Sequence, residues 1–128
     1  MNIQLRKWKV AKLDLQLYSQ ENNTEDANRS FKFSYKTTGL PRSKNSFVVS
    51  FEVSIMGQDF KMDLLMDFFF VTDKDLNDKF FSSPFAKVNA PAIAFPYIRS
   101  YISNLTMQSG YETVVLPSIN FVKLTEDK

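Results

Sequence analysis

The sequence has 128 residues, and its 16 basic and 14 acidic side chains give a formal net charge of +2. This length fits a single domain over residues 1–128, and so balanced a charge argues against binding nucleic acid by neutralising phosphates. The absence of Cys and His excludes disulfides, thiolate or imidazole zinc sites, and histidine general bases. No stretch has the roughly 20 apolar residues of a membrane span, and the N-terminus lacks a signal peptide's apolar run, so we expect a cytoplasmic protein.

The first strand signal lies at the N-terminus. Leu13, Leu15 and Leu17 share one parity and Trp8 and Val10 share the other. The parity changes between Val10 and Ala11, which predicts a β-bulge or a bend. The polar stretch that follows, residues 19–29, predicts a loop.

Two further runs alternate between apolar and polar residues. Residues 30–36 place Phe31, Phe33 and Tyr35 on one face, as a half-buried strand requires. Residues 46–71 alternate in the same way around Met56-Gly57-Gln58-Asp59, where Gly57 is free to take a positive φ. This pattern predicts a long β-hairpin.

The remainder of the chain predicts one helix between irregular segments. Residues 72–75 (Thr-Asp-Lys-Asp) match a capping box that opens one short turn. Residues 80–91 predict an irregular, aromatic-rich connection. Apolar residues at helical spacing between Ala94 and Leu105 predict a helix, with Asn89 as N-cap and Gly110 as the stop. An extended tail follows, so the fold class is α+β.

Charge is distributed unevenly along the chain. Residues 1–44 hold nine basic and four acidic side chains, whereas residues 45–128 hold seven and ten. Oppositely charged strands can pair across a sheet. The alternative is a basic edge that binds an acidic partner.

Two motifs resemble the SecB export chaperones. Residues 92–106 contain Phe-Pro-Tyr-Ile-Arg followed by Ser-Tyr-Ile-Ser, which is similar to the family's signature helix. Residues 116–121 (Leu-Pro-Ser-Ile-Asn-Phe) resemble its Pro-x-(Val/Ile)-Asn-Phe segment. The layout agrees as well, because four strands precede the helix, residues 18–29 occupy the crossover, and residues 56–59 occupy the hairpin turn.

The resemblance implies a four-stranded antiparallel sheet, one long helix packed on a face, and a truncated C-terminal segment. That segment, residues 122–128, is too short for the family's second helix. The implied function is an ATP-independent holdase for unfolded polypeptides in protein export, without enzymatic activity or cofactor, that assembles as a homodimer or homotetramer. Lys12 and Gln16 stand where export members use acidic residues to dock the motor SecA. The implied alternative is therefore a dedicated chaperone of a toxin–antitoxin system that binds the antitoxin.

Two rivals come from other classes. One is a structural or adaptor module that uses its sheet to bind a single folded partner. The other is an enzyme that uses carboxylates such as Asp63 and Asp67, which is the least favoured reading because no other catalytic group accompanies them.

Candidate site residues follow from the 13 phenylalanines and from the resemblance. Trp8 and Phe69 have the wrong parity for the core, and Phe81 and Phe85 lie in the connection that borders the family's client groove. Subunit burial or local packing is the alternative for each of them. The candidate client contacts are Trp8, Phe69, Phe81, Phe85 and Phe121; the candidate docking residues are Met56 and Asp59; the candidate oligomer interface is Tyr97, Tyr101 and Met107.

Overall fold

A four-stranded antiparallel sheet carries one long helix across one of its faces. The computed structural model describes residues 1–18 and 30–126, so the predicted loop at 19–29, most of the crossover, lies outside the described residues. The elements are β1 (Ile3–Leu17), β2 (Ser30–Gly39), β3 (Ser46–Met56), β4 (Phe60–Thr72), α1 (Ala90–Gln108) and α2 (Phe121–Glu126). The strand order is β1-β4-β3-β2, which confirms the predicted α+β fold. No helix within the described ranges is long and apolar enough to cross a membrane.

The predicted hairpin is formed by β3 and β4. The odd-numbered residues of β3 and the even-numbered residues of β4 are buried on the side that α1 covers, which we call the helix side. Gly57 donates its amide hydrogen to the Phe60 carbonyl at 2.9 Å. Gly57 does not use its freedom to take a positive φ, whereas Gly110 does. Gly57 is needed instead because a Cβ there would lie 2.2 Å from the Phe60 ring.

Strand β1 contains two bulges. Its register against β4 shifts between Val10 and Lys12, as predicted, and also between Leu5 and Lys7. The first of these shifts places Trp8, opposite Phe68, on the helix side together with Leu13, Leu15 and Leu17. The prediction that Trp8 has the wrong parity for the core is therefore wrong, because the bulge at Ala11 reverses that parity. The bulge at Arg6 then brings Ile3 and Leu5 to the same face.

The connection after β4 is more helical than predicted. Thr72 ends β4 and donates its hydroxyl to the Asn45 carbonyl at 3.2 Å, so the predicted capping box is wrong. A 3₁₀ turn instead covers Asp78–Ser82, where the Asn77 side chain accepts from the Phe80 amide at 3.1 Å. A π-helical turn, Phe85–Asn89, then leads directly into α1.

The long helix α1 begins directly after Asn89 and ends before Gly110, as predicted, but Asn89 does not cap it. Asn89 already has helical backbone angles and makes no capping hydrogen bond with its side chain. Gly110 has a φ of +90°, the left-handed conformation that ends many helices. Between these points α1 buries Ala94, Ile98 and Ile102 completely against the helix side of the sheet.

The predicted extended tail holds only up to residue 120. Asn120 accepts a hydrogen bond from the Lys123 amide at 3.1 Å and so caps α2. Phe121 anchors this short helix and is only 3% exposed.

Candidate functional site

A groove of about 390 Å³ separates the β3–β4 turn from the chain that follows α1. Phe31, Ile55 and Phe60 supply much of its apolar lining. One rim is the turn at residues 56–59, and the opposite wall is residues 112–117, which we call the wall segment. This volume is within the range of protein sites that accept an apolar side chain or small ligand.

Side chains on one face of α1 hold the wall segment in place. Arg99 Nε donates to the Leu116 carbonyl at 3.0 Å, and Ser103 Oγ donates to the Val114 carbonyl at 2.7 Å. The Val114 amide donates to Thr106 Oγ1 at 3.0 Å.

The wall segment also presents an apolar side chain to the groove. Val115 lines the groove and is 75% exposed. Neither Val115 nor Phe31 was among the sequence candidates. Phe31 carried a signal, since it begins an alternating aromatic run, whereas Val115 lies in a segment without periodicity.

Apolar side chains of β1 and α1 form a second exposed surface. Trp8 packs against Tyr97 with ring centroids 4.3 Å apart, and these side chains are 45% and 40% exposed. Further apolar side chains on the helix side of β1 extend from Trp8 toward the C-terminal end of the strand. This surface, the β1–α1 patch, comprises Trp8, Val10, Leu13, Leu17 and Tyr97.

Three half-buried aromatic rings lie along the helix side of β2, which is an edge strand. Phe31 and Phe33 stack at 5.5 Å and Phe33 and Tyr35 at 6.4 Å, forming what we call the aromatic ladder. Phe121 meets Phe33 and Tyr35 edge-on, so α2 supports the ladder from the core. The Tyr35 hydroxyl donates to the Lys87 carbonyl at 3.0 Å, and burial raises the pKa of Tyr35.

The five candidate client contacts do not converge on one site. Trp8 belongs to the β1–α1 patch, and Phe121 is buried in the core. Phe81 packs edge-on against Phe80 and lines a separate cleft of about 280 Å³ beside Gly39. Phe85 is half-buried in the π-helical turn.

Phe69 points to the open face, the side of the sheet opposite α1. The Lys7 ammonium lies 5.1 Å from the centroid of its ring, a cation–π contact. Phe69 is therefore separated by the sheet from the surfaces on the helix side.

The docking and interface candidates fall at two places. Met56 and Asp59 lie together on the rim of the groove, where the Asp59 carbonyl accepts the Tyr18 amide at 2.9 Å. Tyr97 and Met107 are exposed, whereas Tyr101 is half-buried.

The open face carries charged and polar side chains with a few apolar ones between them, such as Leu65 and Phe69. Lys9 lies opposite Asp67 in the register, as expected for pairing across the sheet, but Asp14 lies opposite Asp63. Asp67 and Asp63 each accept a serine hydroxyl, from Ser50 and Ser54 respectively, at 2.6 Å. The described part of the chain contains no group of three or more potential metal-ligating side chains.

Comparison with known proteins identifies similar sequences. The family model described as preprotein translocase subunit SecB matches residues 5–128. A protein-export protein SecB 1 of Gluconobacter oxydans is 42% identical over 45 residues, which are 35% of this chain and 26% of that protein. An uncharacterised protein of Methanocaldococcus jannaschii is 47% identical over 36 residues, 28% of this chain and 23% of that protein. These alignments cover about a quarter of each relative.

Solved structures are similar over nearly the whole chain. A SecB-like chaperone of Mycobacterium tuberculosis, in complex with a ChAD peptide from the HigA1 antitoxin, has a TM-score of 0.71 at 17% identity and covers 91% of this chain and 90% of its own. A Streptococcus agalactiae protein of unknown function has a TM-score of 0.62 at 14% identity and covers 91% and 98%. At these identities the likeness establishes a shared fold.

Proposed function

Because this chain belongs to the SecB family, we propose that it is an ATP-independent chaperone that binds unfolded polypeptide segments in the cytoplasm and releases them unchanged. The family match over residues 5–128 carries this proposal. The exposed apolar side chains on the helix side support it, since surfaces of this kind bind other chains. Holding a chain in this way requires no nucleophile, general base or cofactor.

We place the principal client contact in the groove. Its lining combines the Phe31 and Phe60 rings with the exposed side chain of Val115, which suits an apolar client side chain. Phe81 and Phe85 are secondary contacts, because both rings are half-buried against the core. Phe121 supports the aromatic ladder from within and would meet a client only if α2 moved away.

We assign the β1–α1 patch to association between copies of the chain. Trp8 and Tyr97 are in contact, so the candidate client residue and the candidate interface residue share one surface. An exposed stripe of this length on an edge strand is also an aggregation hazard unless it is covered. Closed two-fold symmetry would bury the patch, giving a homodimer that can pair into a tetramer with Tyr101 and Met107 at its interface.

The second candidate function is that of a dedicated antitoxin chaperone. The observation favouring it is that the Mycobacterium tuberculosis structure contains a peptide from an antitoxin. The basic residue Lys12 also stands where the resemblance leads us to expect an acidic residue for docking SecA. Met56 and Asp59 remain the docking candidates for either partner, because they share the rim of the groove.

The test is an aggregation assay without nucleotide. A model protein unfolded in urea is diluted into buffer with and without the chain, and light scattering follows aggregation. The wild type is expected to suppress aggregation, and Val115→Asp is expected to weaken suppression because it places a charge in the apolar groove. Val122→Asp is the matched control, since Val122 is an exposed valine on α2 and does not line the groove.

Each outcome of this assay bears on a stated part of the proposal. If both valine variants suppress aggregation equally, the groove is not the principal client contact. A wild-type chain that suppresses the aggregation of no unfolded protein would refute the chaperone proposal. A chain that protects one antitoxin and no other unfolded protein would favour the second candidate.

A further inference from the structure

We propose that an unfolded client binds as an added antiparallel strand along the outer edge of β2, with acidic side chains beside Lys32 and Lys36. This inference rests on the proposed chaperone function and specifies the client segment that the chain prefers. Strand β2 is at the end of the sheet order, and no segment within residues 1–18 and 30–126 pairs with its outer edge. An unpaired edge offers a row of backbone donors and acceptors to an extended peptide.

The hairpin closure determines which backbone groups of β2 face outward. The Gly57 amide bonds to the Phe60 carbonyl, so odd-numbered residues of β3 bond to β4 and even-numbered ones bond to β2. The register pairs those residues with even-numbered residues of β2, such as Lys32 with Ser54. The N–H and C=O groups of the odd-numbered residues Phe31, Phe33 and Tyr35 consequently point away from the sheet.

The side chains of these outward residues belong to the aromatic ladder. In an antiparallel pair, directly opposite residues place their side chains on the same face. A client residue that bonds to Phe31, Phe33 or Tyr35 would thus set its own side chain against that half-buried ring. Apolar or aromatic client residues fit these positions. At the N-terminal end of β2 the client would enter the groove, because Ser30 and Phe31 both line it.

The intervening client residues would point to the open face. There β2 presents Lys32 and Lys36, whose partners in β3 are Ser54 and Ser50. Neither lysine therefore has an acidic side chain directly opposite on its inner side. A glutamate or aspartate in the added strand would supply one.

The same lysines disfavour a second copy of this chain as the occupant. Pairing two β2 strands about a two-fold axis would bring the basic residues of both copies to the same face, and like charges across strands are destabilising. An acidic client segment would instead lie beside Lys32 and Lys36, with the exposed Glu52 one strand further away, opposite Ser34. The preferred client segment thus alternates apolar and acidic residues in extended form.

Peptide binding in low salt provides the first test. The probe is a peptide of about ten residues that alternates leucine or phenylalanine with glutamate, and its partner replaces each glutamate with lysine. We expect the acidic peptide to bind about threefold to tenfold more tightly. The K32E/K36E variant is expected to reverse that preference. An unchanged preference in this variant would overturn the charge assignment.

Methylation of the peptide backbone tests strand addition itself. Two peptides of identical side-chain sequence are N-methylated, one at its apolar residues and the other at its glutamates. The apolar residues would donate their amides to β2, so we expect the first peptide to lose about tenfold or more in affinity and the second to keep it. Hydrogen exchange at the Phe31, Phe33 and Tyr35 amides is expected to slow in the complex.

The outcomes separate this inference from the chaperone proposal. If both methylated peptides bind equally, or if those three amides exchange as before, strand addition is wrong while client binding stands. If unfolded proteins bind but the alternating acidic peptide does not, the inference also fails. If neither the unfolded proteins nor the peptide bind, both this inference and the proposed chaperone function are wrong.

Discussion

Replacing Thr106 with valine tests how the groove is built. Thr106 is completely buried in α1, and its hydroxyl donates to the Ile102 carbonyl at 2.8 Å. The same oxygen accepts the amide of Val114 at 3.0 Å, which ties the wall segment to the helix. Valine has nearly the same shape as threonine, so the change leaves the packing almost intact and removes the hydroxyl that accepts from Val114 and donates to Ile102.

The burial of this hydrogen bond determines how much free energy of unfolding the variant is expected to lose. A partly buried backbone N–H that loses its acceptor costs about 1–3 kcal/mol. A loss of about 2 kcal/mol lowers the ratio of folded to unfolded protein roughly 30-fold. For a urea m-value of about 2 kcal/mol per molar, the unfolding midpoint would fall by about 1 M.

Urea unfolding followed by circular dichroism measures this effect at one fixed protein concentration, since association also stabilises the folded chain. The matched control is Thr113→Val, an exposed threonine in the same wall segment. Its midpoint is expected to stay close to that of the wild type. If the two variants unfold at the same urea concentration, the hydrogen bond from Val114 to Thr106 contributes nothing and our account of the wall segment is wrong.

Two other predictions concern the β1–α1 patch and the aromatic ladder. Tyr97→Glu places a charge in the patch and is expected to reduce the mass measured by light scattering. The control Asn104→Asp, at an exposed position on the same helix, is expected to leave that mass unchanged. A wild-type chain that is monomeric at micromolar concentration would contradict the proposed association. Burial raises the pKa of Tyr35 above its unfolded value, so its contribution to stability is complete below about pH 10 and is lost as pH rises through the folded pKa. Absorbance titration of the wild type against Tyr35→Phe measures this pKa, and a value no higher than that of a free tyrosine would refute the assigned burial.

The sheet could be predicted from the sequence where one face of a strand is fully buried. Residues 46–71 alternate so regularly because shifting the register by one residue would expose every core side chain. The second bulge in β1 leaves a parity signal too, because Ile3 and Leu5 are odd-numbered whereas Trp8 and Val10 are even-numbered, but parity does not show which intervening residue is the extra one. Arg6 lies among charged residues, and its extra position becomes visible only against the register of β4.

The helical turn that precedes α1 was not predictable from capping residues. Asn89 fits the usual N-cap composition, yet the chain is already helical from Phe85. Ala86 and Ala90 are almost completely buried, so tertiary packing determines the start of this helix. The same reasoning applies to α2, since burial of Phe121 stabilises a helix too short to persist alone.

The sequence predicted which types of residue would be available for a binding site, but not where they lie in the fold. Phe surplus and parity indicated that aromatic residues were available, but they do not specify which aromatics meet in space. The groove depends on Val115 and on three side chains of α1 that hold the wall segment, and these contacts link residues that have no shared periodicity.

The two edges of the sheet differ in chemistry, and this difference would separate the proposed association of copies from the proposed client binding. The helix side of β1 is apolar from Trp8 to Leu17, which suits an identical apolar surface in another copy. The β2 edge combines half-buried aromatic rings with Lys32 and Lys36, which suits a chain that supplies both apolar and acidic side chains. Because β1 and β2 lie at opposite ends of the strand order, copies can associate through β1 while the β2 edge stays open to a client. Assembly and client capture are therefore compatible within one small sheet.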